Sequence, residues 1–208
     1  MRLQLPKVYP ITDTEISGLS HCEQVKRLVE GGATLIQLRE KRSSSRAFYF
    51  DAAAALQIAR SASARLIIND RVDLALALQA DGVHLGQEDM PVAAARRILG
   101  DAAVIGFSTH NLEQVQEALS LSIDYLAFGP VFATTSKRNP DPVAGLNQLR
   151  LVREVAAATP VVAIGGISQS RAREVLNAGA DAVAVISALF INPAGIAENL
   201  RHFAALLE

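Results

Sequence analysis

Apolar and polar positions along this chain follow two rhythms. Short apolar runs recur at Val8–Ile11, Leu35–Leu38, Leu66–Ile68, Val83–Leu85, Val104–Phe107, Tyr125–Phe128, Val161–Ile164 and Val183–Ile186. Runs this short, bounded by turn residues, read as strands covered on both faces. Between them lie segments with helical spacing: Cys22–Glu30, Ser45–Ser61, Arg71–Gln79, Val92–Leu99, Leu112–Leu119, Leu146–Ala157, Gln169–Ala178 and Ala194–Leu207. Eight such strand–helix units in 208 residues predict one α/β domain, residues 1–208, folded as a single (β/α)8 TIM barrel. The alternative is an open doubly wound sheet. Its usual mark is G-x-G-x-x-G after the first strand, where this chain has Thr12–Asp13–Thr14.

A local phrase repeats ahead of the strands: Gly31–Gly32–Ala33, Ala80–Asp81–Gly82, and Ala178–Gly179–Ala180–Asp181. Glycine there ends a helix and turns the chain into the next strand. The repetition speaks for similar units and is silent on function.

Half of the residues are hydrophobic, which suffices for one sizeable core. Lys and Arg number 20 against 21 Asp and Glu, with no long basic run, so a nucleic-acid surface is not expected. Cys22 is the single cysteine, which rules out an internal disulfide framework. The opening MRLQLPKVYPIT has no signal-peptide core, and no apolar stretch is long enough for a membrane span. A cytoplasmic location is the expectation. Oligomeric state is left open, a homo-oligomer included.

The chemistry concentrates where strands end. Leu66–Ile68 runs into Asn69 and Asp70, and Gly82–Leu85 runs into Gly86, Gln87, Glu88 and Asp89. In a parallel barrel these C-terminal ends share one rim, where such barrels carry their chemistry. Two carboxylates with room for water and phosphate oxygens suit Mg2+. Asp89 has a competing role as N-cap of the helix after Met90–Pro91, and Asp70 could simply pair with Arg71. Strand two alternates Gln37, Arg39 and Lys41 with Ile36 and Leu38. The apolar pair should face the helices and the polar set the barrel mouth, where buried cations want an anionic ligand or a pair with Glu40. Gly165–Gly166 after strand seven and Ser187 after strand eight match the usual phosphate site of these barrels. His84 reads as a satisfied barrel residue, His110 as a rim residue within reach of a ligand, and His21 and His202 as helix-end or surface residues. Two anion sites beside a metal site suggest two phosphorylated substrates, one a diphosphate.

The phrases QLREK (Gln37–Lys41), INDRVDLAL (Ile68–Leu76), ADGVHLGQEDMP (Ala80–Pro91), GPVFATTSK (Gly129–Lys137) and AIGGI (Ala163–Ile167) together resemble the thiamine-phosphate synthase family. The resemblance implies a transferase that joins hydroxymethylpyrimidine diphosphate to hydroxyethylthiazole phosphate and releases pyrophosphate. It implies pyrimidine-diphosphate contacts at Gln37, Leu38, Arg39, Glu40, Lys41, Asn69, Ser108 and Lys137, of which Arg39, Lys41, Lys137 and Ser108 would be catalytic. It implies Mg2+ as cofactor on Asp70 and Asp89, and thiazole-phosphate contacts at Thr134, Thr135, Ser136, Gly166, Ile186 and Ser187. Ser136 stands where the family often has threonine and keeps the hydroxyl. The implied mechanism is dissociative: pyrophosphate leaves and the thiazole nitrogen captures a pyrimidine carbocation. Rival readings are a thiazole tautomerase on the same scaffold, a non-catalytic ligand-binding barrel and a sugar-phosphate isomerase. A tautomerase would need neither the diphosphate nor the metal residues, and an isomerase would need an acid–base pair that the sequence does not offer.

One connection is out of proportion. Pro130 to Ala144 (PVFATTSKRNPDPVA) far exceeds the two to six residues usual between strand and helix in such units. A reactive cation must be shielded from water, so Phe132–Val143 is expected to act as a lid carrying Lys137. Trypsin should therefore cut at Lys137–Arg138 in the free protein. Product with pyrophosphate and Mg2+ should protect that site, and each ligand alone should protect it less. Equal cutting rates with and without the full ligand set, with the cut mapped by mass, would make the segment a plain insertion.

Overall fold

The computed structural model describes residues 4–136, 139–190 and 192–207. Its strands are β1 (Val8–Thr12), β2 (Leu35–Leu38), β3 (Arg65–Asn69), β4 (Gly82–Leu85), β5 (Val104–Thr109), β6 (Tyr125–Phe128), β7 (Val161–Ala163) and β8 (Ala182–Val185). They pair in chain order, all parallel, and β8 pairs with β1 through Val8↔Val183, Tyr9↔Ala184 and Pro10↔Val185. The sheet is therefore a closed barrel, as the alternation of elements predicts, and the open-sheet alternative falls away.

The helices are α1 (Thr14–Ser17), α2 (His21–Glu30), α3 (Ser45–Ser61), α4 (Val72–Leu78), α5 (Val92–Leu99), α6 (Leu112–Ala118), α7 (Gly145–Ala156), α8 (Gln169–Asn177), α9 (Ser187–Phe190) and α10 (Ile196–Leu207). The long helices match the sequence reading to within a residue or two. The last segment differs: Pro193–Gly195 forms a 3-10 turn before α10, as suits a proline that has no N–H to donate. The one-turn helices α1 and α9 are too short to show a hydrophobic period, and both sit at the C-terminal rim.

Period-2 alternation sorts the strand side chains. Ile36, Leu38, Leu66, Ile68, Val83, Leu85, Leu126 and Phe128 pack outward in the core shared with the helices. Tyr9, Ile11, Leu35, Ile67, Tyr125, Ala127, Val162, Ala182 and Ala184 fill the barrel interior. The outer set buries far more apolar surface and supplies most of the driving force.

The repeated phrase ahead of the strands has a physical role. Asp81, just before β4, accepts the Leu66 N–H at the start of β3 through Oδ2 at 2.8 Å, while its own N–H donates to Leu66 O at 3.0 Å. Asp124 makes the same two bonds to Ile105, and Asp181 makes them to Val161, each at 2.8 Å. Each aspartate thus pins the first turn of one strand to the start of the strand before it. Leu66 is buried, so an Asp81→Ala protein would leave its N–H without that acceptor. It should lose about 1–3 kcal/mol, read as a lower urea midpoint at unchanged m. Asp101→Ala, at an exposed turn, should change the midpoint little.

Candidate active site

The C-terminal ends of the strands surround a cavity of about 500 Å3. β2 and the turn after it supply Gln37, Arg39 and Lys41, and β3 supplies Asn69 and Asp70. β4 contributes His84 and Gly86–Asp89, and β5 contributes Ser108 and His110. The loop after β6 adds Thr134 and Ser136, Gly165 follows β7, and Ile186 follows β8.

Arg39, Lys41, Asp70 and Asp89 each have a defined partner in this mouth. The Arg39 guanidinium donates to Asp13 Oδ2 at 2.9 Å, and the other oxygen of Asp13 caps α1 through Glu15 N and Ile16 N. The Lys41 ammonium donates to Asp70. Neither cation pairs with Glu40. Asp70 itself has φ 63°, a left-handed conformation that costs energy for a residue with a Cβ. Its N–H donates to His84 O at 2.8 Å, which ties the strained turn to β4. Arg71 pairs with Asp73 at 2.6 Å rather than with Asp70.

Asp89 is not the cap of α5. That position is Pro91, with no side-chain capping bond, and Asp89 Oδ2 instead accepts the Gly86 N–H at 2.6 Å. This bond folds the β4 loop back and leaves the carboxylate facing Asp70. Burial, with the Asp70 charge adding to it, raises the Asp89 pKa against the pull of the Gly86 N–H. Two carboxylates held near one another, one of them with its ionised form disfavoured, are the donor set a hard divalent cation would complete. The residues present therefore fit Mg2+, which Asp70 and Asp89 would hold. Among the described residues no group of three or more His, Cys, Asp or Glu side chains could hold a metal, so a cation on Asp70 and Asp89 would draw its remaining ligands from other oxygens.

The family model of thiamine monophosphate synthase matches residues 8–189. The chain belongs to this family. Among its relatives is the thiamine-phosphate synthase of Chloroflexus aurantiacus, 46% identical over 184 residues, covering 88% of this chain and 84% of the relative. The thiamine-phosphate synthase of Koribacter versatilis is 46% identical and covers 92% of both chains. Among solved structures, the thiamine phosphate pyrophosphorylase of Pyrococcus furiosus superposes with a TM-score of 0.86 at 40% identity, over 97% of this chain and 95% of that one.

Of the residues the family resemblance singles out, the fold brings Gln37, Arg39, Lys41, Asn69, Asp70, Asp89, Ser108, Thr134, Ser136 and Ile186 to the cavity wall. Lys137 lies outside the described residues. Leu38, Glu40, Thr135, Gly166 and Ser187 do not line the cavity. The Leu38 side chain is in the helix-side core, so only its backbone can face a ligand. Glu40 turns away toward α1 and α2. One of its oxygens lies 3.4 Å from His21 Nε2, and the other accepts the N–H groups of Arg42 at 2.7 Å and Ser43 at 3.0 Å. Burial opposes its charge, but the Ser43 and Arg42 N–H groups prevail and hold its pKa at about 2. The Glu40 side chain thus braces the turn after β2 and does not line the cavity.

Packing in this structure already requires glycine at position 166. It has φ 62°, and a Cβ there would sit 2.3 Å from Ala133 O and 2.9 Å from Phe132 Cβ. The loop after β6 already fills that space, so packing of two rim loops accounts for the residue. Arg171 lies over the Phe132 ring at 4.5 Å, holding the same junction.

The histidines divide as their environments dictate. His84 is buried in β4, within 2.9 Å of Tyr125 Oη and 2.8 Å of Ser108 Oγ. Burial lowers its pKa to about 4, against a smaller opposing effect of Asp89. His110 lines the cavity, its Nδ1 2.6 Å from Gly129 O. His202 is exposed. His21 begins α2, a helix-end position as expected, and is buried there, 2.7 Å from Thr12 Oγ1. The sequence alone does not mark Tyr9, Tyr125 or Asp13 as site residues. The alternation of YLAF does point Tyr125 inward, but the partners lie far off in the chain.

The raised Asp89 pKa has a stability sign. A carboxyl whose folded pKa exceeds its unfolded value removes stability as pH rises from the unfolded value through the folded one. Above that window the charged Asp89 is a net cost to the metal-free protein. In excess chelator at pH 7, Asp89→Asn should therefore unfold at a higher urea concentration than the parent, since asparagine Oδ1 can still accept the Gly86 N–H. The difference should vanish below the carboxylate range, where Asp89 is neutral. A lower midpoint for Asp89→Asn at pH 7 would refute this account.

Proposed function

We propose that the chain is a thiamine-phosphate synthase, a transferase that joins hydroxymethylpyrimidine diphosphate to hydroxyethylthiazole phosphate and releases pyrophosphate. Family membership supports the reaction. The observation that carries it to this mouth is the meeting of two cations, Arg39 and Lys41, with two facing carboxylates, Asp70 and Asp89.

In this reading the diphosphate lies against Arg39 and Lys41, and the family resemblance adds Lys137 to its contacts. When bound on Asp70 and Asp89, Mg2+ would supply Lewis-acid neutralisation of the leaving diphosphate. The bond from the pyrimidine methylene carbon to the diphosphate oxygen breaks, and its electron pair leaves with pyrophosphate. The thiazole nitrogen then donates its lone pair to the methylene cation, forming the C–N bond. No proton is transferred in this step, so no general base is required. His84 suits such a site: with both ring nitrogens engaged and its pKa at about 4, it is not poised to take a proton at neutral pH. The main contribution is electrostatic, from cations oriented before the charge develops. Asp13, by holding Arg39, provides that orientation. The thiazole phosphate would use the side of the mouth formed by Thr134, Ser136, Gly165 and Ile186, with Ser187 at the start of α9.

A thiazole tautomerase or a non-catalytic binding barrel would have no use for the Arg39, Lys41, Asp70 and Asp89 group. The direct test is incubation with both precursors and Mg2+. Thiamine phosphate and pyrophosphate should appear in equal amounts, and excess chelator should stop turnover. Arg39→Ala should lower kcat on the order of 10²-fold or more if the guanidinium stabilises the departing charge. A raised KM at unchanged kcat would make Arg39 a uniform binder, and undiminished turnover in chelator would remove the metal from the mechanism.

A further inference from the structure

Five polar side chains in the barrel form a continuous hydrogen-bond chain that the reaction as proposed does not use. Gln37 Nε2 lies 3.3 Å from Tyr9 Oη. Tyr9 Oη lies 3.0 Å from Tyr125 Oη, which lies 2.9 Å from His84 Nδ1. His84 Nε2 lies 2.8 Å from Ser108 Oγ. All five line the candidate substrate cavity, and Gln37, Tyr9, Tyr125 and His84 are buried in its floor while Ser108 is more open.

The donor and acceptor inventory orders this chain. The Gln37 amide nitrogen can only donate, so Tyr9 Oη accepts from it. Tyr9 is 1% exposed, so its own hydrogen needs an acceptor, and Tyr125 Oη is the one at hand. Tyr125, also buried, passes its hydrogen to its other neighbour, His84 Nδ1. That nitrogen then carries no hydrogen, and the neutral ring bears it on Nε2, donating to Ser108 Oγ. The Ser108 hydrogen is left to point into the mouth. Run in the opposite direction, the chain would leave the buried Tyr9 hydrogen without an acceptor, which is costly. A charged imidazolium would do the same to the Tyr125 hydrogen.

The surrounding residues make room for this arrangement. Register places Gly106 between His84 and Tyr125 on neighbouring strands. A Cβ at Gly106 would sit 2.1 Å from Tyr125 Cζ and 2.6 Å from His84 Nδ1. Tyr9 meets Tyr125 edge to face at 5.9 Å, and His84 stacks on Tyr125 at 5.6 Å, so ring packing holds the oxygens and nitrogens at bonding distance.

We infer that Tyr9, Tyr125 and His84 are positioning residues: a one-way relay from Gln37 to Ser108 that commits the Ser108 hydroxyl to donate to an acceptor atom of the ligand. The inference rests on the proposed function for the identity of that ligand, whose pyrimidine ring nitrogens are in-plane acceptors. The relay also couples the two ligand contacts at its ends, since polarising one end polarises the other.

The test reads the His84 tautomer by 15N NMR on the wild-type protein, a measurement that needs neither activity nor a variant. The expected result is a neutral ring with hydrogen on Nε2. Tyr125→Phe keeps the ring packing and removes the donor to Nδ1. It should shift the tautomer signal and lower kcat/KM for the pyrimidine diphosphate about tenfold, the scale of one buried hydrogen bond. Affinity for inorganic pyrophosphate, which touches only the cationic part of the mouth, should stay unchanged. A wild-type ring with hydrogen on Nδ1 would reverse the relay and overturn the inference. So would a Tyr125→Phe protein with unchanged tautomer and unchanged kcat/KM, or one whose pyrophosphate affinity falls in step, since that reports a collapsed site. If the wild-type protein made no thiamine phosphate, the functional reading would fail while the tautomer result would still decide the relay.

Discussion

Pairing of β1 with β8 is the constraint on which the rest depends. With all eight strands parallel and the sheet closed, every strand ends on the same rim. Residues as far apart in sequence as Gln37 and Ile186 then share one cavity. In an open sheet of the same strands, the first and last would lie on different edges. Closure also creates an interior. Tyr9 and Tyr125 are separated by 116 positions and belong to strands that are not neighbours in the sheet. Their hydroxyls meet only because the barrel brings opposite walls within reach.

That interior must be filled, and its filling shapes the site above it. Small residues on one arc, Ala127, Ala182 and Ala184, offset the rings of Tyr9 and Tyr125, which keeps the barrel close-packed without strain. Toward the rim the inward positions turn polar, with Gln37, Asn69 and His84 all buried. Buried polar atoms cost free energy unless bonded. Among the described residues every buried side-chain nitrogen and oxygen has a partner. The floor of the cavity is therefore a satisfied polar layer of fixed geometry, which suits a site whose work is orientation more than proton transfer.

The fold was legible because its signal is local. Every strand run could be read from a few consecutive apolar residues, and the capped helix α3 shows its period over seventeen positions. The rim carboxylates were legible for the same reason, since Asp70 and Asp89 directly follow strand runs. Partner choice was not. That Arg39 takes Asp13, Lys41 takes Asp70 and Glu40 turns toward His21 depends on where three chain segments meet in space, and consecutive residues of QLREK give no hint that they point to different partners. Gly166 shows the same limit. Glycine after a seventh strand says nothing of the Ala133 O that fills the space its missing Cβ leaves, a contact set by the conformation of a distant loop. The Asp81, Asp124 and Asp181 clamps lie between. Two of them stand in the repeated phrase, but their bonds to the preceding strand appear only once the strands pair.

Under the proposed function, the electrostatics of the mouth would favour loading metal and diphosphate together. In the ligand-free protein Lys41 is occupied with Asp70, while Asp89 is charged against the preference of its surroundings. A divalent cation on Asp70 and Asp89 would relieve the second condition and, by drawing Asp70 away, would release the Lys41 ammonium into a site that then carries excess positive charge. A diphosphate is the ligand that answers this excess. Bound alone, it would have to compete with Asp70 for Lys41 and tolerate the Asp89 carboxylate nearby, so like charges would oppose it. Each partner thus removes the charge conflict that resists the other, and by linkage the assistance is mutual. Arg39 stands outside the exchange: its tie to Asp13 also involves the cap of α1, so it is oriented before any ligand arrives. One cation is preset and the other is released on loading, which gives the mouth a reason to carry both.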